Sequence, residues 1–554
     1  MEVKTAHREA VQAALGYMQR EACWTRRGAG GSEFIKGNGY LAAAYVHRSS
    51  RNGDPQLHTH VLVANATKAD GRWTRLYHPA IYDHATTASY IYEAHLRDEL
   101  SRRLGVEWQP TRKGIAEIEG FVDEHLRAFS TRRAEILEAA GENASAASRQ
   151  VVTLVTRKPK EADISQVELR QRWRSKADEI GLDHKAIERT LGVMDPSERY
   201  PALTVHQLDR AVTEGQSHFD RRDAIQGVAD SLRNGAPAAD VERMADEFLA
   251  ADSVIQIAET AKGPRYTTRR IWELEREALA AVERMKAERA TVAGELIAAR
   301  VIGSRPTLKD DQRELVRRLL ADPEGVAIVI GEAGTGKTFA IVAAAEGWAQ
   351  AGIDLRIAAP TWRAAGVLRS DGLPAVSVAT LLSEFEQGKR EGGEEALAQG
   401  SALVSDEAGM VDSARLAGLI DHAEQAQAKL VLVGDPEQLG EIEAGGLFRA
   451  IAERTDPIHL EEVIRHEHMV DREATKLIRK GEGGDALGLY VSKERVTVAP
   501  NSDAMRAAMV ADRHEAYERG ADAVMSQAKP RCRAPERDRA GGPATGGKAR
   551  HRGD

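Results

Sequence analysis

The octapeptide Gly331-Glu-Ala-Gly334-Thr335-Gly336-Lys337-Thr338 constrains this chain more than any other stretch. It fits G-x-x-x-x-G-K-[ST], follows the apolar run at 326–330 and opens a helical pattern. Its glycines let the backbone curl so that N–H groups converge on an anion, and the helix N-terminus adds a favourable dipole. A loop of this kind sits between a buried strand and a helix. Further short apolar runs at 355–359, 402–404 and 430–433 alternate with helical stretches. That alternation predicts a parallel sheet covered on both faces.

The loop defines a candidate ATP–Mg2+ site. Gly331, Gly334, Thr335 and Gly336 shape the cradle, Lys337 reaches the β- and γ-phosphates, and the Thr338 hydroxyl ligates Mg2+. Asp406 and Glu407 end a predicted strand, Ala402-Leu-Val-Ser-Asp-Glu. Asp406 would hold the Mg2+ shell and Glu407 would orient and deprotonate the attacking water. Gln438, in Gly434-Asp-Pro-Glu-Gln-Leu, supplies a neutral amide that senses the γ-phosphate without competing for the metal. Arg465 supplies a cation to meet the γ-phosphate as charge develops.

This set resembles the superfamily 1 DNA helicases. Pro360-Thr361, followed by Ala364-Ala365, is similar to the family's motif Ia, which implies contact with single-stranded DNA. Gln312 is similar to the upstream glutamine that reads adenine; a helix-surface glutamine is the competing reading. The resemblance also implies a second RecA-like domain carrying motifs V and VI. Only 89 residues follow Arg465, and neither motif is found. Residues 481–525 are expected to begin that domain and break off. ATP binding and slow hydrolysis are then expected, and motor activity is not. Residues 526–554 contain no Val, Ile, Leu, Met, Phe, Trp or Tyr and eight Lys/Arg against three Asp/Glu, which predicts a disordered basic tail.

A second constellation lies near the start. Six of the 17 histidines fall between His47 and His95. His58 and His60 stand at i and i+2 in Leu57-His-Thr-His-Val-Leu-Val, so on a strand they share one face. Leu57, Val61 and Val63 would face a core. His47 ends the preceding extended run, and Asn52-Gly53 with Asp54-Pro55 predicts a hairpin that carries it beside the pair. Three neutral imidazoles converging this way form a facial site for a divalent metal with open positions. Imidazole suits Zn, Ni, Cu or Fe, and phosphate chemistry also admits Mg or Mn.

The stretch His47-Arg-Ser-Ser-Arg-Asn-Gly-Asp-Pro-Gln-Leu-His58-Thr-His60 resembles the three-histidine motif of MobF-type conjugative relaxases, the TrwC/TraI/TraA group. Asp70-Gly-Arg-Trp73, Leu104-Gly-Val106 and Phe129-Ser-Thr-Arg-Arg133 continue the match. The group's order, relaxase before superfamily 1 helicase, is the order here. The resemblance implies nicking of single-stranded DNA at a plasmid or integrative-element transfer origin by a tyrosine, with the metal polarising the phosphate. It also implies that other conjugation proteins are partners. The group places its tyrosines well upstream of the motif. This chain has 46 residues before His47, so the expectation is a fragment lacking that segment. Tyr17, within an amphipathic helical pattern, is expected to pack rather than attack.

The fold class expected is α/β and multidomain, with five parts. Residues 1–190 form an antiparallel-sheet relaxase domain with an HUH-like palm, and residues 191–302 a mostly helical region. Residues 303–480 form a RecA-like P-loop domain, followed by 481–525 and the tail. No apolar run approaches the roughly 18 residues of a membrane span, and the N-terminus lacks a signal-peptide core. Two distant cysteines, Cys23 and Cys532, exclude a disulfide framework, so the cytoplasm is the expected compartment. The competing readings are a DNA-binding remnant without turnover and a stand-alone P-loop ATPase.

Overall fold

The computed structural model describes residues 2–141, 152–153, 156, 165–195, 200–260, 263–332, 334–390, 397–436, 446–460, 469–479, 481–493 and 495–519. The chain divides into two compact units, Met1–Ile464 and Arg465–Asp554.

In the first unit, helix α1 (Glu2–Glu21) lies along helix α2 (His78–Leu104). Helix α2 starts at His78, and Pro79 presets its first turn. It ends on Gly105, in the left-handed region at φ 63°, whose N–H donates to the Ser101 carbonyl. Between the helices run three antiparallel pairs. These are β1 (Trp24–Arg27) with β2 (Glu33–Lys36), β3 (Ala42–Ser49) with β4 (Pro55–Val63), and β5 (Thr67–Ala69) with β6 (Arg72–Thr74).

The β3–β4 hairpin corrects one expectation. Leu57 and Val61 are half-buried, but Val63 is 38% exposed, and Tyr45, Val46 and Leu62 are more exposed still. A two-stranded ribbon has apolar residues on both faces, and α1 packs against β4 without covering both.

The middle region is helical, as expected, but carries a hairpin that helical periodicity misses. Helices Val205–Thr213, Arg221–Ser231 and Ala238–Leu249 are followed by β7 (Val254–Thr260) paired with β8 (Gly263–Thr268). Phe219 bridges Tyr266, which gives the element order of a winged helix. Its core is continuous with that of α1 and α2: Tyr17, Ala88 and Ile91 pack with Ile225, Phe219 and Phe248. The buried Arg97 of α2 spans the same junction and donates to the carbonyls of Gly114, Ala229 and Leu232.

Helix Arg269–Ala287 is rich in charged residues but is not a wholly exposed surface. Ile271, Ala278, Ala281, Val282 and Met285 form a buried stripe. Four of them, from Ala278 to Met285, join a core with Val326, Leu403 and Leu430 of the parallel sheet. A charged helix still buries one face when its apolar residues recur every three to four positions.

The sheet is six-stranded and parallel. Its strands are β9 (Val326–Gly331), β10 (Leu355–Ala359), β11 (Ala375–Ser377), β12 (Ala402–Ser405), β13 (Lys429–Gly434) and β14 (Ile458–Leu460). They lie in the order β11-β10-β12-β13-β9-β14. Two apolar cores cover its faces, as the alternating texture predicts.

Within the second unit, the described residues form helices Met469–Arg479, Gly483–Ser492 and Ser502–Glu518, with no strand among them. Arg495 pairs with Asp471 at 2.7 Å. The tail at 526–554 lies outside the described residues. No helix of the described residues is long and apolar enough to cross a membrane.

Candidate metal centre and nucleotide loop

Strand pairing builds the histidine cluster. The register sets His47 opposite His58 and Tyr45 opposite His60, so His47 is directly across from one imidazole and diagonal to the other. Ring centroids are 5.2 Å apart for His47–His58, 4.9 Å for His47–His60 and 5.0 Å for His58–His60. One nitrogen from each ring lies within 4.8 Å of the other two. A metal holding nitrogens at about 2.1 Å draws them to roughly 3.4 Å of one another, a gap that small ring rotations close. The three donors therefore fit one divalent ion.

The cluster is partly preset. His58 Nδ1 lies 3.0 Å from the Gln56 carbonyl. A carbonyl only accepts, so Nδ1 carries the hydrogen and the neutral ring keeps its lone pair on Nε2, the atom then available to a metal. His47 and His60 are exposed and His58 half-buried, which leaves the open side of the site toward solvent.

The hairpin loop is tied down by residues far along the chain. Asp54 accepts from the Thr131 N–H at 3.1 Å and the Thr131 hydroxyl at 2.6 Å. Trp173 Nε1 donates to the Gly53 carbonyl at 2.6 Å. Asp54 is thus a tether for the hairpin loop. On the opposite face of β4, Thr59 meets His7 of α1, which also bonds Tyr92 of α2. His7 titrates below its ordinary value because burial disfavours its charged form and His58 adds repulsion. Neither His7 nor the Asp54 tether is legible from local pattern. Tyr17 is fully buried, its hydroxyl 2.8 Å from His84 Nδ1, in keeping with a packing role.

The second cluster gathers at the carboxyl ends of the central strands, where open α/β sheets place their ligands. Gly331 ends β9, and a Cβ there would come within 2.8 Å of Thr335 Oγ1. Gly334 and Gly336 adopt positive φ, at 90° and 77°, and Gly336 caps the helix Lys337–Gln350. Lys337 Nζ folds back to donate to the Gly331 and Glu332 carbonyls. Thr338 lies half-buried in the first helical turn.

Asp406 and Glu407 follow β12. Burial raises the Asp406 carboxyl's pKa, opposed by the Glu407 N–H that it accepts and by Lys337. Glu407 takes a left-handed backbone at φ 49°, a strained conformation for its residue type.

Gln312 is buried, not on a helix surface, and both ends of its amide are engaged. Nε2 donates to the Thr335 carbonyl at 3.0 Å, and Oε1 accepts from the Lys309 N–H at 3.1 Å. It braces the loop from behind. Pro360 and Thr361 follow β10, and the Thr361 hydroxyl caps helix Trp362–Ser370 by accepting from the Ala364 N–H. Gln438 and Arg465 lie outside the described residues.

Residues 1–180 match the family described as TrwC relaxase, and residues 307–501 match an AAA domain. Among curated proteins the chain is similar to a conjugal transfer protein TraA of Rhizobium radiobacter. The two are 37% identical over 191 residues, which is 34% of this chain and 17% of that one. A multifunctional conjugation protein TraI of Escherichia coli is 34% identical over 33% of this chain and 11% of its own length. The chain thus spans a small part of these relatives. A solved conjugative relaxase TrwC, in complex with OriT DNA and metal-bound, is 27% identical with a TM-score of 0.31. That match covers 33% of this chain and 65% of that one.

Proposed function

We propose that this chain, which joins a TrwC relaxase domain to an AAA domain, engages single-stranded transfer-origin DNA at a three-histidine metal centre and binds ATP–Mg2+ at its glycine-rich loop. The observation that carries the reading is the convergence of His47, His58 and His60 on one face of a tethered hairpin. A divalent ion held there would act as a Lewis acid on a phosphodiester oxygen. The chain's own residues hold the geometry: the Gln56 carbonyl fixes the His58 tautomer, and Asp54 with Trp173 fixes the loop between the ligand strands.

At the second site, Gly331, Gly334, Thr335 and Gly336 cradle phosphates, Lys337 swings from its carbonyl partners to the γ-phosphate, and Thr338 with Asp406 holds Mg2+. Glu407 activates water, with Gln438 and Arg465 assigned to the γ-phosphate. Pro360 and Thr361 lie beside the DNA path. Gln312 acts by holding the loop's shape. The cytoplasm is the compartment this reading assigns, and the DNA of a conjugative element is its partner.

The test measures metal content and single-strand affinity together. The wild-type chain should retain about one divalent ion, and His58→Ala should lose it and bind a transfer-origin oligonucleotide more weakly. Unchanged metal content in His58→Ala would refute the metal assignment.

A further inference from the structure

We propose that the cleft between the relaxase-matched part and the 205–268 module is a nucleobase pocket for single-stranded DNA, separate from the metal centre. It deepens the DNA reading above and rests on it. The cleft has a volume of about 640 Å3, within the roughly 300–1,000 Å3 of small-ligand sites. Four elements wall it: Tyr17 and Glu21 of α1, Trp24 and Phe34 of the β1–β2 ribbon, Tyr77 to His84 at the start of α2, and Asp220 to Arg222 with Gly263 and Pro264 of the neighbouring module. His7, which touches the histidine hairpin, and Tyr17 are ten residues apart on one helix, about 15 Å along its axis.

The wall chemistry selects a planar base on a phosphate backbone. Phe34 and Tyr77 meet edge to face at 5.1 Å, and the Arg26 guanidinium lies 5.0 Å and 5.5 Å from their two ring centroids. Lys36 Nζ lies 5.9 Å from the Trp24 ring and makes no ion pair among the described residues. Aromatic faces interleaved with cations are what single-strand sites use: rings stack the bases and cations track the backbone.

His84 offers a polar atom to a base edge. The Tyr17 hydroxyl occupies His84 Nδ1, which leaves Nε2 as the ring's remaining hydrogen-bonding atom. The acidic residues fix the orientation. Arg222 binds Asp220, and Arg221 lies 3.7 Å from Glu21, so the inner wall has no spare positive charge for a phosphate. The base enters, and the phosphates stay on the Arg26–Lys36 side.

The probes are a fluorescein-labelled mixed-sequence oligodeoxynucleotide, read by anisotropy, and the same strand carrying 2-aminopurine, read by stacking-induced quenching. Phe34 is 53% exposed, so Phe34→Ala should fold normally. It should weaken binding about tenfold and abolish the quenching, while Phe34→Trp retains both. Ala80→Trp, which fills the cleft without removing a ring, should weaken binding to a similar degree. Both weakened variants should keep wild-type metal content. Tight wild-type binding that Phe34→Ala and Ala80→Trp leave unchanged overturns the pocket and spares the DNA reading. Failure of the wild-type chain to bind any single strand overturns both.

Discussion

His7 Nε2 lies 2.7 Å from Thr59 Oγ1, on the face of β4 opposite His58 and His60. With its other nitrogen 2.8 Å from the Tyr92 hydroxyl, His7 joins α1, β4 and α2 behind the three-histidine face. Removing it leaves two partly buried hydroxyls unpaired. We expect His7→Ala to cost about 1–3 kcal/mol of stability and to weaken metal binding about tenfold. Thermal melting and metal titration check this, and unaltered metal affinity would show the bridge to be packing alone.

Acid should loosen the junction between α2 and the 205–268 module. His95 Nδ1 accepts from the Ala238 N–H at 3.2 Å, which requires the unprotonated nitrogen. Burial lowers its pKa from the ordinary 6.5, opposed by Asp98. The unfolded chain then takes up the proton first. This contribution is present above about pH 6.5 and lost as pH falls from there through the lower folded value. Melting temperature should drop between about pH 7 and pH 5, and His95→Gln should flatten the slope.

The same junction has no room at Gly235. Its φ is +78°, and a Cβ would come within 2.0 Å of the Ala94 carbonyl and 2.6 Å of the Asp98 nitrogen. Both obstacles are backbone atoms and cannot swing away. Gly235→Ala should destabilise by about 3 kcal/mol or more, and denaturant unfolding would measure it.

Gln312→Ala should weaken nucleotide binding about tenfold by freeing the Thr335 carbonyl and slackening the phosphate loop. The effect should be the same for adenosine and guanosine triphosphates, because the amide holds backbone rather than base. A loss confined to the adenine nucleotide would instead restore the adenine-reading role.

Lys337→Ala should abolish nucleotide binding while leaving metal at the histidine centre untouched. Fluorescent-nucleotide titration beside elemental analysis separates the two sites.

Much of both sites was legible because it is local. Residues at i and i+2 of a strand share a face whatever surrounds them, so the spacing of His58 and His60 alone pairs them. The loop at 331–338 carries its own conformational demands in its glycines. Long-range partners left no local trace. Lys429, fully buried, donates to the Asp322 and Glu324 carbonyls just past helix Asp310–Ala321, more than a hundred residues away. In the sequence it is merely a lysine at the start of an apolar run. The β7–β8 hairpin leaves little trace in helical periodicity because it lies between the long helices Ala238–Leu249 and Arg269–Ala287.

The amino-acid order alone determined the strand–loop–helix around Lys337, the hairpin that gathers three imidazoles and the sequence of the modules, since each depends on periodicity and turn chemistry within a few residues. Tertiary packing decided which way the Gln312 amide points, that Asp54 tethers the hairpin loop, that His7 backs the three-histidine face, and that an aromatic cleft opens where two modules meet. Those outcomes turn on which buried faces find each other across the folded chain, and burial is a property of the assembled layers, not of any one segment.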